Sequence, residues 1–275
     1  RFQKLSKSRH GNRIKLAAQN LTLPAKYDAR EKVPLPMGDQ GSCGSCYLYS
    51  TMWYSFTDAG IRAGYGKAGT YKLSVQWGMD RPRDFGGCNG GWGAEVAEYV
   101  CNSGCIAEVW VDISGVTHKD YPPYEARSGN DRTASGAKVW AKGWTWGLVS
   151  NDGNPTTDEI KAALLLYGRL NLAIDAGGQF GSGTGTITSL GRSINHEISC
   201  CGWDDGKDGG CFLLENQWGA GWGQGGYRWC TYAAAKNITD WFWVSAGAPI
   251  PPDPDPLPVG KPPFKLYVGA VPELQ

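Results

Sequence analysis

Five short apolar or alternating runs, separated by glycine-rich turns, occupy the C-terminal half of this chain and constrain its fold most strongly. The runs are LNLAIDA (170–176), HEISCCGWD (196–204), CFLLENQ (211–217), GYRWCTY (226–232) and WFWVS (241–245). Short runs of this kind between turns are typical of antiparallel strands. The sequence therefore predicts a β-sheet lobe beginning near residue 170.

The N-terminal half has a helical pattern instead. Between Tyr47 and Ala59, apolar residues recur at every fourth position, which indicates one face of a helix that Gly60 would end. A second helix is predicted in GWGAEVAEYVC (91–101), and a third after Thr156, which stands three residues before a glutamate as in a capping box. Helices followed by strands predict an α+β chain with two lobes, and a cleft between lobes is the usual place for a site.

Charge and hydropathy exclude some classes of partner. The 275 residues have a net charge of +1, so no global field exists to recruit nucleic acid or an acidic membrane surface. No apolar run approaches the roughly 18 residues that span a bilayer, so no membrane span is expected. Any partner must be recognised locally.

Nine cysteines are many for a chain in a reducing cytosol. In an oxidising compartment, the odd number suggests four disulfides and one free thiol. We therefore expect a secreted, periplasmic or lysosome-like location.

Composition divides the chain into three parts: 1–22, 23–247 and 248–275. The first lies in a stretch with seven basic and no acidic residues, and is either a mobile leader or the remnant of a pro-segment. The third part, 248–275, includes the stretch 249–263, which holds eight of the sixteen prolines. This composition predicts an extended linker or a peptide that lies over a surface.

Cys43 and Cys46 are separated by two residues, a spacing that allows three chemistries. A structural zinc would need a second Cys or His pair at similarly close spacing, which the chain lacks. A redox pair of the thioredoxin type needs a βαβ context, which is not evident here. The remaining interpretation places Cys43 in a disulfide and Cys46 at a helix N-terminus, where the dipole favours its thiolate.

A thiol nucleophile needs a base, and the chain has three histidines: His10, His118 and His196. A lone histidine on a strand is more often a core residue than a catalyst. Asn216, however, lies across a glycine hairpin from His196, so neighbouring strands can place an amide carbonyl beside the imidazole and orient it. Trp218 would shield that bond from water.

At these residues the sequence resembles the papain family of cysteine peptidases, over 23–245. The motifs occur in the family's order: LPAKYDAR, DQGSCGSCY, GGCNGGW, YPPYEA, LNLAIDA, NHEISCCGWD and ENQWGAGWGQGGY. The resemblance implies a papain-like α+β fold. Its N-terminal lobe would be mainly helical, its C-terminal lobe an antiparallel β-barrel-like structure, and its active site would lie in the cleft between them.

The resemblance also implies a cysteine endopeptidase that forms an acyl-thioester on Cys46. His196 would be the general acid/base, Asn216 its orienting partner, and Gln40 the side-chain donor to the oxyanion. It further implies a disulfide from the nucleophile loop to the cleft wall, joining Cys43 to Cys88. Protein or peptide substrates are expected, and no cofactor or metal.

Substrate contacts are implied at seven positions: Gly90, Gly91, Trp92, Gly93, Ala173, Glu197 and Trp218. The first two would let an extended substrate backbone approach, and the next ones would line the main specificity pocket. Glu197 stands where the family often has a small residue. It would narrow the pocket or admit a basic side chain.

Some residues depart from the family pattern. Tyr47 replaces the commoner tryptophan and Gln217 the usual serine, and we interpret both as packing changes that leave the reactive groups present. The other disulfides are not decidable from sequence, although Cys211 and Cys230 could bridge a hairpin.

Two rival functions remain open. One is a catalytically silent homologue that binds peptide or glycan through its aromatic surface. The tryptophans of 140–147 are suited to stacking on sugars, but tryptophans at such spacing more often pack in a core or a loop. The other is a transpeptidase or amidase that uses the same dyad. We further expect that the N-terminal arm, as a pro-segment, or the proline-rich tail can occupy the cleft as an intramolecular inhibitor.

Overall fold

A computed structural model describes residues 11–112, 114–129, 137–140 and 143–246. Its α-helices are α1 Gly11–Asn20, α2 Cys46–Leu48, α3 Thr57–Arg62, α4 Val75–Met79, α5 Pro82–Phe85, α6 Gly93–Ser103, α7 Thr157–Tyr167, α8 Gly178–Gly181 and α9 Tyr232–Ala235. Its strands are β1 Lys26–Asp28, β2 Lys72–Leu73, β3 Cys105–Val111, β4 Thr117–His118, β5 Val139–Trp140, β6 Thr145–Leu148, β7 Leu170–Ile174, β8 His196–Asp204, β9 Cys211–Glu215, β10 Tyr227–Thr231 and β11 Thr239–Ser245.

One continuous helix, which we call the central helix, is formed by α2, a π-helical segment Tyr49–Phe56 and α3. It is buried from Tyr47 to Gly60. The prediction that Gly60 ends this helix is wrong, because the helix continues to Arg62. A Cβ on Gly60 would lie 2.6 Å from the Tyr71 ring, so the glycine allows close packing rather than a stop.

The C-terminal half forms the predicted antiparallel sheet. Its seven strands follow the order β10-β9-β8-β7-β11-β6, with β1 also pairing with β8. Strand β8 begins at His196 and ends at Asp204, as predicted; its first part pairs with β7 and its last part with β1. The third predicted helix, α7, begins with the expected capping box between Thr156 and Glu159. The α+β architecture is confirmed.

Two hydrophobic cores correspond to the two lobes. One surrounds the central helix, and the other lies between α7 and the large sheet. The π-helical segment packs against β7, β8 and β11, so the lobes meet along it. There Arg169 binds Asp58 at 2.7 Å and Glu215 at 2.6 Å, with all three side chains fully buried. This ion cluster joins the central helix to the strand that ends beside Asn216.

Helix α1 accounts for the described part of the N-terminal arm. It packs against α7, and Ile14 is fully buried in the C-terminal core. Residues 11–20 are therefore docked rather than a mobile leader. Residues 1–10 and the tail 248–275 lie outside the described residues. No described helix has the length and apolar character needed to cross a membrane.

All nine cysteines lie in the described residues, and they form one disulfide, between Cys43 and Cys88. The expectation of four disulfides is wrong. Cys230 pairs with Phe212, and Thr231 with Cys211, across the β9–β10 ladder. Directly paired residues share a face and adjacent residues alternate, so Cys211 and Cys230 point to opposite faces and cannot bridge.

Candidate active site

The loop before the central helix is braced against the Gly87–Asn89 turn. The Cys43–Cys88 disulfide joins the two segments, and the Gly44 N–H donates to the Cys88 carbonyl at 3.2 Å. A Cβ on Gly44 would lie 2.6 Å from that carbonyl oxygen, so only glycine allows this approach. The brace fixes where the helix begins, and therefore where Cys46 lies.

Cys46 is half-buried at the first position of α2. Burial raises the pKa of its thiol to about 11, and the backbone N–H groups of Glu197, Tyr47 and Cys46 partly oppose this rise. The N–H groups of Cys46 and Tyr47 at the helix start act in the predicted direction and lower this pKa, but for the isolated thiol desolvation outweighs them. The effect of the Glu197 backbone on this pKa places the sulfur near the residue that follows His196.

His196 opens β8, and its Nε2 lies 2.8 Å from Oδ1 of Asn216. That oxygen also accepts from the Gln217 backbone N–H at 2.9 Å, which identifies it as the oxygen of the amide. Nε2 is therefore the protonated ring nitrogen, and Nδ1 keeps a free lone pair. Burial lowers the pKa of His196 to about 4.

Aromatic rings enclose the imidazole. The Trp218 ring lies 4.7 Å from that of His196 between centroids, and Phe180 approaches at 5.8 Å edge-on. Asn216 is fully buried. The bond between His196 and Asn216 is therefore protected from water, as predicted for Trp218.

Two glutamine side chains join the lobes beside this pair. Gln40 is buried, and its Nε2 donates to the Cys43 carbonyl at 2.8 Å. Gln217 Nε2 donates to the Glu197 carbonyl at 2.7 Å and to Gln40 Oε1 at 3.2 Å. Sequence reasoning treated Gln217 as a packing change and missed this bridge. The signal was a long amide directly after Asn216 at the end of an apolar strand.

Glu197 follows His196 on β8 and is 5% exposed. Its carboxyl oxygens accept from the Gly93 N–H at 2.8 and 3.0 Å, across the junction of the lobes. Burial raises the pKa of Glu197 to about 8. A Cβ on Gly93 would lie 2.7 Å from this carboxyl, so residue 93 must be small.

The remaining residues that were expected to contact substrate differ in their exposure to solvent. Gly91 is exposed and Trp92 is 42% exposed, whereas Ala173 is fully buried opposite Glu197 in the β7–β8 ladder. Gly90 has a φ of +87°, a conformation that favours glycine. A Cβ on Gly91 would lie 2.5 Å from the Phe85 carbonyl, so packing alone requires this glycine.

Two other features lie outside this site. His118 stacks on Trp110 at 4.1 Å, and its Nε2 is 3.0 Å from Asp112 Oδ2. Lys138 covers the Trp110 ring as well as that of Trp140, so these aromatics are partly covered by the protein's own groups. His10 lies outside the described residues. Within the described ranges, no three His, Cys, Asp or Glu side chains are grouped as a metal ion would require.

Comparison with known proteins gives consistent matches. Residues 23–239 match the family model described as papain family cysteine protease. Cysteine proteinases 1 and 2 of Entamoeba histolytica are 32% and 33% identical over 76% of this chain. The chain spans 64% of the length of each of these relatives.

Solved structures also match. Bromelain from Ananas comosus, in complex with the inhibitor E64, superposes with a TM-score of 0.66 at 21% identity, covering 81% of this chain and 99% of bromelain. Digestive procathepsin L2 of Tenebrio molitor gives 0.65 at 24% identity, covering 82% of this chain and 69% of the procathepsin. At these identities the likeness concerns the fold.

Proposed function

This chain belongs to the papain family of cysteine proteases, and from that premise we propose that it hydrolyses peptide bonds with Cys46 as nucleophile and His196 as general acid/base. The observation that carries the proposal is the arrangement around β8. Asn216 holds Nε2 of His196, and the backbone N–H of Glu197, the residue after His196, is near enough to the Cys46 sulfur to lower its pKa. The free nitrogen, Nδ1, is then the one available to the thiol.

The thiol proton passes to Nδ1 of His196, and the sulfur attacks the scissile carbonyl carbon. The resulting tetrahedral oxyanion collapses as the imidazolium protonates the leaving amine, which leaves an acyl-thioester on Cys46. His196 then removes a proton from water, and the hydroxide attacks the thioester. The carboxylic acid leaves and the thiol is restored.

Burial disfavours a lone thiolate and a lone imidazolium, but the two together are neutral. The proton transfer within the pair creates opposite charges side by side in a site of low dielectric, where their attraction is strong. Asn216 adds a hydrogen bond to the imidazolium form. The reactive state of Cys46 therefore depends on His196, not on the helix terminus alone.

The oxyanion would be held by two N–H groups. The backbone N–H of Cys46 is one, and the second N–H of the Gln40 amide is the other, because the first is already bound to Cys43. Removal of one such donor costs about 10²–10³ in kcat in enzymes of this general type.

The buried position of Glu197 supports a narrow main specificity pocket rather than one that admits a basic side chain. Its carboxyl is already bound to Gly93, and burial, which raises its pKa to about 8, favours the uncharged form at pH 7. Peptide-library cleavage tests this: Glu197→Ala should accept bulkier apolar side chains two residues before the scissile bond. A loss of basic preference in that variant would instead support direct recognition of cations.

We extend the proposal to organisation and location. The peptidase domain would be 23–247, with the arm 1–22 as a remnant of a pro-segment and the tail 248–275 as a tethered inhibitor. A secretory-type oxidising compartment is supported by the Cys43–Cys88 disulfide. Deleting the tail should raise the peptidase rate; an unchanged rate and inhibitor affinity would contradict inhibition by it.

Labelling with a thiol-directed epoxide tests the central proposal. Mass spectrometry should locate the adduct on Cys46, and Cys46→Ala should abolish both labelling and turnover. Cys101→Ala is the matched control, since Cys101 is the other half-buried free thiol in the described residues. Activity that survives in Cys46→Ala refutes the mechanism. Labelling without turnover of any peptide would favour a silent binding protein, and products formed with an added amine would favour a transpeptidase.

A further inference from the structure

We propose that Gln217 is a positioning residue that orients the Gln40 amide for the oxyanion. This inference rests on the proposed function, since it assigns a role within that reaction. It concerns a residue that departs from the usual serine of the family. The geometry around the side chain carries it.

The Gln217 side chain is fully buried at the junction of the lobes. Its Nε2 lies 2.7 Å from the Glu197 carbonyl, 3.2 Å from Gln40 Oε1 and 3.4 Å from His196 Nε2. The backbone reinforces the same link, because the Gln40 N–H donates to the Gln217 carbonyl at 2.8 Å. A single residue of the C-terminal lobe therefore holds Gln40 at two points.

Backbone carbonyls determine the orientation of both amides. The Glu197 carbonyl can only accept, so the nitrogen of Gln217 must face it. The Cys43 carbonyl can only accept, so the nitrogen of Gln40 must face that group. The two assignments are independent of each other. Together they place the Nε2 donor of Gln217 opposite the Oε1 acceptor of Gln40, so the two side chains can form a hydrogen bond.

The count of hydrogens then defines the chemistry. Gln217 Nε2 uses one N–H on Glu197 and one on Gln40. Gln217 Nε2 also lies 3.4 Å from Nε2 of His196, but both nitrogens carry hydrogen, so this is a packing contact and not a hydrogen bond. Gln40 Nε2 uses one N–H on Cys43 and keeps the second for an oxyanion.

An oxyanion donor accelerates a reaction only if it is oriented before the charge develops. With Cys43 alone as anchor, the Gln40 amide can rotate and its free N–H can leave the required direction. A serine at position 217 is too short to replace the amide donor between Glu197 and Gln40. Gln217 therefore supplies the second anchor.

Gln217→Met tests the idea, because methionine keeps the length and volume of the side chain but has no donor. We expect kcat for a peptide anilide to fall about 10-fold or more. The loss should not exceed the factor of about 10²–10³ in kcat that a whole oxyanion donor supplies. KM should change less than about 2-fold. Alkylation by iodoacetamide needs the thiol and its base but no oxyanion donor. Its rate and pH profile should stay within about 2-fold of the wild type.

Two controls separate positioning from general damage. Gln224→Met changes a glutamine of the next hairpin that is exposed and also donates to a backbone carbonyl, at 3.4 Å, and should leave both rates unchanged. In a Gln40→Ala background, Gln217→Met should cost less than about 2-fold more in kcat, because no amide remains to be oriented.

Three results would overturn the inference: an unchanged kcat in Gln217→Met, a parallel loss in alkylation and hydrolysis, or full additivity with Gln40→Ala. A crystal structure of Gln217→Met gives a readout independent of activity. In that structure the Gln40 amide should adopt a different conformation or two alternative conformations. An amide in the same position as in the wild type would contradict the inference. If the wild type hydrolyses no peptide, the proposed function fails, and this crystallographic result still decides whether Gln217 orients Gln40.

Discussion

Nε2 of His196 lies 2.8 Å from Oδ1 of Asn216, and the same oxygen accepts from the backbone N–H of Gln217. The second bond prevents the amide from presenting its nitrogen to the ring. The position of one backbone N–H therefore determines the tautomer of the imidazole, and with it which ring nitrogen can receive a proton from Cys46.

Asn216→Ala should lower kcat/KM about 10²-fold, part of the 10²–10⁴ that a positioned general acid or base contributes, because the ring loses its orientation. Asn195→Ala is the matched control. Asn195 precedes His196, and its side chain accepts only from the Ala176 N–H in the described contacts. Steady-state kinetics on a peptide substrate measures both, and equal losses would contradict a specific role for Asn216.

The pH profile of kcat/KM should be bell-shaped, because catalysis needs a Cys46–His196 pair that holds one proton. Burial lowers the pKa of the imidazole to about 4 and raises that of the thiol to about 11. The acid limb should therefore lie below pH 6.5, the ordinary value for histidine. Rates measured from below pH 4 to above pH 11 cover both limbs, and a flat profile across them would argue against the dyad.

Glu197→Gln should change how stability depends on pH. The carboxyl has a folded pKa of about 8 against an ordinary 4.5, so the folded state retains a proton that the unfolded state releases between these values. The free energy of unfolding of the wild type therefore falls as the pH rises from about 4.5 to about 8. Relative to the wild type, the free energy of unfolding of the variant should increase little at pH 4 and progressively more up to pH 8. Urea unfolding at each pH measures this difference. A gain in the free energy of unfolding that is the same at every pH would contradict the assignment.

Arg169→Met should destabilise the protein by about 3–5 kcal/mol, because it leaves Asp58 and Glu215 buried without their cation. Urea unfolding monitored by tryptophan fluorescence measures this. Lys72→Met, which breaks a partly exposed pair with Glu108, is the control and should cost about 0–1 kcal/mol. Equal effects of the two variants would show that the buried cluster does not hold the lobes together.

Local patterns predicted much of the fold. The span of β8 and the capping box of α7 followed from the sequence, because strand alternation and helix capping depend on residues close together in the chain. The order of the motifs likewise indicated the family. These signals need no knowledge of what lies across the core.

Long-range contacts produced the differences. Gly60 suggested a helix end, but Tyr71 packs on it, and no local signal indicates which ring will arrive there. Cys211 and Cys230 looked suitably placed for a bridge, but strand register turned them to opposite faces.

The amino-acid sequence by itself determined the elements, the family and a short list of reactive residues, because periodicity and motif order are properties of neighbouring residues. Only the tertiary structure decided that Gln217 spans the lobes, that Glu197 is bound to Gly93, and that burial opposes ionisation of Cys46. Each of these depends on which groups meet across the cleft and on how much water they exclude. Those are properties of the packed chain.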